Sequence, residues 1–409
     1  MNVGARSRAS RVTDVKDRVI FLGANLPAIP ERLLLAHAQG KVLFVAGAGV
    51  SRAAGLPDFR GLVVDVYAEV DTAVWNVVSK IPSGACNQWS TDVSSLRDDQ
   101  AAEVRHFIAG DYDLVLGMLE RRLDGRASGS SRVRQAIATR LRPAGLKPAR
   151  IHRALMRLAD RGGVVRIVTT NFEHLLEEAK RKGTAVQTYT LGTIPRPGNG
   201  PEFSGVFHIH GVLDRNPARA SELIVSDRDF GEFYMRRRIV PDFIYDAARL
   251  FHIVLVGYSA NDAPMKYLLN AVAADGTRFR DVMERFTFIG GNATVDNVAL
   301  EQWRGRSITP VHYDSANKHA ALADVLERWA DLSPVNGKKG LVDAEIRRIV
   351  STRRAAATDA DRDLFDHLIR RSDAKERARL TVLVSRRGAE PGWLDAITDI
   401  IYETTGQAR

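Results

Sequence analysis

The chain has 409 residues, 45% of them hydrophobic, which suits a globular protein with one large domain and a smaller second unit. No apolar run reaches the ~18 residues needed to span a bilayer, and Cys86 is the only cysteine, so an internal disulfide is excluded. The formal net charge of +10 is compatible with binding to a nucleic acid or an acidic partner. A solvated basic surface without such a partner accounts for the charge equally well. These features predict a cytoplasmic protein that does not enter a membrane.

The first predicted elements lead into a buried strand. Residues 1–18 are polar and lack an apolar period, which predicts a flexible arm. Residues 31–40 place leucines on one helical face and end in Gly40, which predicts a helix closed by glycine. Residues 42–45 are short and rich in β-branched and aromatic side chains, which predicts a strand buried on both faces of a parallel sheet.

A glycine-rich turn follows this strand. Gly47 and Gly49 would let the backbone turn sharply and approach a pyrophosphate. Backbone N–H groups and a helix N-terminus would then stabilise the negative charge of the pyrophosphate. Arg52 and Ala53 come next, so the third small residue of the usual dinucleotide-binding pattern is displaced. The turn therefore predicts a dinucleotide pocket of a modified kind.

Helices and then alternating strands are predicted beyond the turn. Residues 64–80 and 97–161 have helical periodicity and form a helical insertion at about 64–161. Strands are predicted at residues 164–169, 206–210, 222–225, 252–256, 286–290 and 307–312. This order predicts an α/β fold, a Rossmann-like doubly wound parallel sheet with a helical insertion lobe.

Three of the predicted strands end in polar motifs. Asn171 ends VVRIVTTN, His210 lies in VFHIHG, and Gly257 begins GYS after an apolar run. The carboxyl ends of parallel strands are where open α/β sheets collect their ligand sites. We therefore expect these motifs to meet the glycine-rich turn at one edge of the sheet.

Taken in order over roughly residues 35–315, the segments GVSRAAGLPDFRG, TTN, HIHG and GYS resemble the sirtuin family of NAD-dependent deacylases and NAD-hydrolysing relatives. Deacetylase sirtuins hold zinc with four cysteines, which a chain with one cysteine cannot supply. The chain is therefore similar to the zinc-free branch of bacterial anti-phage defence. This resemblance implies NAD as substrate, no zinc, a homo-oligomer and a HerA-type ATPase or translocase as partner.

The resemblance also assigns roles to individual residues. Asn171 would orient the attacking water or the ribose hydroxyls, and His210 would act as general base. Glu173 stands where the family usually has aspartate. The residues that would bind NAD are Ala48, Gly49, Ser51, Asp58, Phe59, Arg60, Gly257, Ser259 and Asp262. Structural alternatives remain for Asn171, Asp58 and Asp262, each of which would equally well cap a helix or turn.

Two further features have both a functional and a structural interpretation. His208 lies two residues before His210 on the same predicted strand, so both side chains are expected on one face. Two histidines without a cysteine or a placed carboxylate nearby make a poor ligand set, and no metal is predicted. Asp227 and Asp229 belong to a segment that resembles the zinc-free relatives, or they only begin a helix.

The domain division and the function follow. Residues 30–333 are predicted as the NAD-binding catalytic domain, and residues 338–409 as a helical C-terminal module for assembly or partner docking. The leading hypothesis is an NAD hydrolase that releases nicotinamide and ADP-ribose as a regulated effector of anti-phage defence. One alternative is an NAD-dependent protein deacylase or ADP-ribosyltransferase, and another is a non-catalytic module that senses NAD or ADP-ribose.

Overall fold

The computed structural model describes residues 18–82, 90–125, 130–216, 219, 222–258, 269–270, 272, 282–291, 297–386 and 390–405. The chain folds as two units, one of residues 42–330 and one that combines the described parts of residues 1–41 and 331–409. The predicted arm lies outside the described residues except for Arg18. Residues 30–41, assigned above to the catalytic domain, fall in the same unit as the C-terminal helices.

The described chain contains nine strands and seventeen α-helices. The strands are β1 (Val19–Phe21), β2 (Ala28–Pro30), β3 (Val42–Ala46), β4 (Arg166–Thr169), β5 (Thr188–Tyr189), β6 (Gly205–His208), β7 (His252–Val256), β8 (Arg285–Gly291) and β9 (Ile308–Asp314). The helices are α1 (Glu31–Ala38), α2 (Ala48–Arg52), α3 (Phe59–Val70), α4 (Thr72–Val78), α5 (Asp98–Ala109), α6 (Tyr112–Asp124), α7 (Arg132–Arg140), α8 (Arg150–Ala159), α9 (Leu175–Glu178), α10 (Asp227–Phe230), α11 (Ile239–Leu250), α12 (Asn297–Arg304), α13 (Ala316–Leu332), α14 (Lys339–Val350), α15 (Asp359–Arg370), α16 (Ala374–Ser385) and α17 (Pro391–Thr405). A π-helix covers Gly231–Arg236 and a 3₁₀ turn covers Arg354–Ala356. In the part of the chain that is described, none of the helices is both long enough and apolar enough to cross a bilayer.

The larger unit is built on a parallel sheet whose described strands have the order β5-β6-β4-β3-β7-β8-β9. All five residues of β3 and all four of β6 are buried, as expected of strands covered on both faces. The chain starts at the central strand β3, adds β4 and β6 on one side, and then returns to add β7 on the other. This reversal between β3 and β7 is the switch point of a doubly wound sheet, so the predicted Rossmann-like fold is confirmed.

The helical insertion is also present, since α3 to α8 lie between β3 and β4. Leu62, Val66, Tyr67, Phe107 and Leu116 share one buried core in this lobe. Its helices therefore stabilise one another through apolar contact.

Two sequence predictions were wrong in detail. Residues 222–225 were predicted as a strand, but they lie outside the sheet. Leu223, Ile224 and Val225 are each 1% exposed, and Ile224 N donates to the carbonyl of His210 at 2.8 Å. An apolar run is buried whether or not its backbone pairs, which explains the error. The two-residue strand β5 was too short to be predicted.

The second unit joins the N-terminal hairpin β1–β2 and α1 to helices α14 to α17. Glu31, at the start of α1, is fully buried and accepts from Arg370 Nη1 at 2.6 Å, with His367 Nδ1 at 3.3 Å. Burial raises the pKa of Glu31, but the contacts with His367 and Arg370 outweigh it and lower the pKa below its usual range. Trp393 and Phe365 pack in the same unit, with ring centroids 4.6 Å apart.

Candidate active site

The glycine turn after β3 packs against the turn after β7. Gly47 N donates to Val256 O at 2.9 Å, and Gly49 N donates to Gly257 O at 2.8 Å. A Cβ at Gly47 would lie 2.7 Å from Gly257 O, and one at Gly49 would lie 2.8 Å from the same atom. Gly257 has φ +60°, and a Cβ there would lie 2.5 Å from Val50 N. The glycines therefore allow two backbone turns to touch at the switch point. The fold itself requires glycine at these positions, whether or not a ligand binds.

Asn171 is held at the end of β4 by the neighbouring turn. Its Nδ2 donates to Gly47 O at 3.1 Å and to Ser51 Oγ at 2.9 Å. Its backbone N–H donates to Thr169 Oγ1 at 3.0 Å. The helix that follows begins at Leu175 with His174 at its N-cap, so Asn171 does not cap it. These contacts fix the direction of the amide and remove the capping alternative.

Glu173 extends this polar chain. Ser51 Oγ donates to Glu173 Oε1 at 2.5 Å, and the two residues are 3% and 7% exposed. Burial raises the pKa of the Glu173 carboxyl, and the hydrogen bond from Ser51 offsets only part of that effect. Glu173 is thus a buried acid tied to Ser51, which is predicted to line the phosphates.

His210 lies just beyond β6 and is buried. Its Nε2 is 2.7 Å from Tyr234 Oη, and its ring meets the ring of Phe230 edge-on with centroids 5.6 Å apart. Burial lowers the pKa of His210 to about 3, so the imidazole is neutral at physiological pH. Tyr234 lies in the π-helix, an element often found at functional sites. Sequence reasoning missed Tyr234 because no motif spacing links it to His210.

Asn171 and His210 are brought to the same edge by strand pairing. In the register of β4 and β6, Thr169 pairs with His208, and Ile209 N donates to Thr169 O at 3.0 Å. Each of the two candidate catalytic residues lies two positions beyond this pair. The edge formed by β6, β4, β3 and β7 thus collects both side chains and both glycine turns, as the sequence predicted for a ligand site.

The segment after α2 makes contacts mainly with the helical lobe. Asp58 Oδ1 accepts from Gly61 N at 2.8 Å and caps α3. The ring of Phe59 lies 6.1 Å from that of Tyr112. The Arg60 guanidinium lies 5.0 Å from the centre of the Phe107 ring and donates to the carbonyl of Ile81. These contacts give Asp58, Phe59 and Arg60 structural roles, and their contact with NAD stays a prediction.

The remaining predicted site residues are placed as follows. Ala48 is the first residue of α2, with Gly47 at its N-cap. Ser259 and Asp262 lie outside the described residues. Asp229 accepts from Ser226 in a capping box and from Arg134 Nη2 at 2.7 Å, so it ties α10 to the helical lobe. Asp227 accepts from Arg121 at 3.3 Å.

His208 and His210 have different partners, contrary to the expectation of one shared face. His208 Nδ1 lies 2.8 Å from Asn171 O, and its Nε2 lies 2.9 Å from Glu177 Oε1. His210 contacts Tyr234 instead. The two histidines therefore do not form a ligand pair, and Glu177 is a placed carboxylate that the sequence analysis did not find.

Comparison with known proteins shows which part of the chain is recognisable. Residues 165–311 match the family described as "SIR2-like domain". The matched stretch is just over a third of the chain. It contains Asn171, His210 and Gly257, and it begins after the glycine turn of β3.

Two individual proteins are similar to the chain. An uncharacterized protein of Sinorhizobium fredii (strain NBRC 101917 / NGR234), y4cA, is 32% identical over 370 residues, which are 85% of this chain and 28% of that protein. The chain thus spans 28% of the length of this curated relative. A solved structure described as "Structural Basis for the Mechanism and Regulation of Sir2 Enzymes" is 13% identical, covers 73% of this chain and 96% of its own, and has a TM-score of 0.31.

Proposed function

We propose that this chain is an NAD glycohydrolase that breaks the nicotinamide–ribose bond to give nicotinamide and ADP-ribose. The observation that carries the proposal is the placement of Asn171 and His210 beyond the paired ends of β4 and β6, inside the SIR2-like domain. Both lie at the sheet edge that also holds the switch-point turns. A sheet edge of this kind is where doubly wound folds bind dinucleotides.

The residues present suit the chemistry of this bond. Nicotinamide leaves a cationic ring as a neutral molecule, so the reaction needs positioning and little acid help. Gly47 and Ser51 hold Nδ2 of Asn171, and its Oδ1, on the other branch of the amide, would accept from the attacking water. His210, oriented by Tyr234, would take the proton from that water once NAD binding relieves the burial that lowers its pKa.

The burial of the two candidate catalytic residues suits a site whose access is regulated. Asn171 is 7% exposed and His210 is 6% exposed. Unrestrained loss of NAD would harm the cell that makes the enzyme. We therefore include in the proposal a silent homo-oligomer that is opened by a trigger in anti-phage defence, with a HerA-type translocase as its partner. The net charge of +10 is consistent with such a contact.

Direct assay tests the hydrolase. The purified full chain is incubated with NAD, alone and with the candidate partner, and nicotinamide and ADP-ribose are separated by chromatography. NAD is followed in parallel in cells that express the chain. We expect release by the wild type and a loss of at least about 10²-fold in Asn171→Ala and in His210→Ala, because each removes a polar group at the reacting centre. His106→Ala, at an exposed histidine of the helical lobe, is the matched control and should keep full activity.

Three results would redirect the proposal. No nicotinamide release in vitro and no NAD loss in cells would remove the hydrolase. Release that survives in both variants would place the chemistry elsewhere in the chain. Consumption of NAD only in the presence of an acyl-lysine peptide would identify a deacylase that uses the same pocket.

A further inference from the structure

A second polar cluster contacts the backbone carbonyl of Asn171, whose side-chain amide contacts Ser51. It consists of His174, just before α9, Glu177 within α9, and His208 at the end of β6. His208 Nε2 is 2.9 Å from Glu177 Oε1, and His174 Nδ1 is 3.6 Å from the same oxygen. One ligand atom from each residue lies within 4.8 Å of the other two. Two imidazoles and a carboxylate thus converge on one point.

The cluster is buried and its hydrogen bonds are incomplete. His208 is fully buried and Glu177 is 4% exposed. Glu177 Oε1 also accepts from Thr188 Oγ1 at 2.9 Å. Glu177 Oε2 and His174 Nδ1 are buried without a hydrogen-bond partner among the described residues. Buried polar atoms normally have hydrogen-bond partners, so these two atoms indicate that a further group binds between them.

Backbone carbonyls set the protonation of both imidazoles. His208 Nδ1 lies 2.8 Å from Asn171 O, and His174 Nε2 lies 2.8 Å from Leu213 O. A carbonyl oxygen only accepts, so each of these nitrogens carries a hydrogen. The other nitrogen of each ring then presents a lone pair toward Glu177 unless the ring is protonated. Histidines that bind metals show this arrangement, with the outer N–H given to a carbonyl.

We propose that His174, Glu177 and His208 bind a divalent transition-metal ion of the Zn²⁺ class. Ligand atoms about 2.1 Å from a tetrahedral ion lie about 3.4 Å from one another, and the observed separations of 2.9 and 3.6 Å lie on either side of that value. Three protein ligands leave a fourth position for water. Glu177 Oε2 is a second oxygen for the same ion.

The alternative is an ion pair between a protonated His208 and Glu177. It accounts for the 2.9 Å contact, and a protonated His174 would add the 3.6 Å contact to the same oxygen, but Glu177 Oε2 is still left without a partner. A cation at the convergence point satisfies all three side chains at once. It would also tie the turn that carries Asn171 to β6, because Asn171 O receives the outer N–H of His208.

Metal binding to the full chain tests the proposal without reference to its activity. The protein is stripped with a chelator, dialysed and titrated with Co²⁺, whose visible absorption reports nitrogen and carboxylate ligands, and then with Zn²⁺ in competition. We expect one equivalent to bind, and affinity to fall by at least about tenfold in His174→Gln and Glu177→Gln, because each variant removes a ligand. His106→Gln is the matched control, since His106 lies 3.1 Å from Asp111 on an exposed surface.

A thermal melt gives an independent measurement. Zn²⁺ should raise the Tm of the wild type and of His106→Gln, and should leave His174→Gln unchanged. His174 is the most exposed of the three residues, so His174→Gln is the variant best suited to fold. If Glu177→Gln does not fold, the result with His174→Gln decides the test. Failure of the wild type to bind Co²⁺ overturns the proposal, as does binding that is unchanged in both variants. Neither result bears on NAD hydrolysis, which is measured separately.

Discussion

The two sides of the sheet edge are held together by different means. On the β3 and β7 side, backbone turns touch at Gly47, Gly49 and Gly257 with no room for a Cβ. On the β4 and β6 side, the side chains of Asn171 and His210 make the contacts. On the β3 and β7 side, a larger side chain at a glycine would disrupt the contact between the turns. On the β4 and β6 side, a side chain can be exchanged for one with different polar groups while the backbone stays in place. Substitutions on the two sides should therefore separate stability from activity.

The largest effect is expected from Gly257→Val. The new side chain would lie within 2.5 Å of Val50 N and would occupy a left-handed backbone conformation at φ +60°. We expect the free energy of unfolding to fall by at least about 3 kcal/mol, measured by urea denaturation. Gly231→Ala has open space around its Cβ and should change stability by less than about 0.5 kcal/mol. Equal losses in the two variants would contradict the tight contact between the turns.

An effect of intermediate size, on the pH dependence of stability, should come from His152 in α8. This helix belongs to neither side of the sheet edge, so its effect is a reference for both. Ala149 N donates to His152 Nδ1 at 3.1 Å, and burial lowers the pKa of His152 to about 4. The unfolded chain binds the proton near pH 6.5 and the folded chain does not, so this stability is present above pH 6.5 and is lost as the pH falls toward 4. Between pH 7 and pH 5 we expect a loss of about 2 kcal/mol from this residue. His152→Asn keeps an acceptor for Ala149 N and should lose that part of the pH dependence in urea denaturation.

The smallest effect is expected from Tyr234→Phe on the side-chain side. The variant removes one hydrogen bond to His210 and keeps the ring. Stability should fall by about 1 kcal/mol, while the hydrolysis rate should fall by about tenfold because His210 loses its orientation. Denaturation and the nicotinamide assay are compared on the same preparation. A rate that is unchanged would show that Tyr234 only fills space.

Local pattern was sufficient to predict the central strands and the motifs at their ends. The run before Gly47, the strand before Asn171 and the strand before His210 all lie where short apolar runs and turn chemistry predicted them. A parallel sheet then requires their carboxyl ends to share an edge, so topology followed from strand order. The assignment of these residues to catalysis remains a prediction.

Contacts between distant residues were not predictable in the same way. Glu177 meets His208 across 31 residues, and Tyr234 meets His210 across 24, with no spacing rule that links them. Phosphate binding was a plausible explanation for Gly47 and Gly49, but the atoms nearest to them belong to the turn at Gly257. Arg60 appeared suited to close over a ligand, yet in the fold it lies against Phe107.

The pairing of Glu31 with Arg370 has a consequence for synthesis on the ribosome. Glu31 is synthesised 339 residues before Arg370, its guanidinium partner. Until residue 339 is reached, the hairpin β1–β2 and α1 have none of the helices α14 to α17 to pack against. The larger unit, by contrast, has its whole sheet available before the last helices are translated. A chain stopped before residue 370 would thus contain the whole stretch that matches the SIR2-like family and an acid at residue 31 without its Arg370 partner.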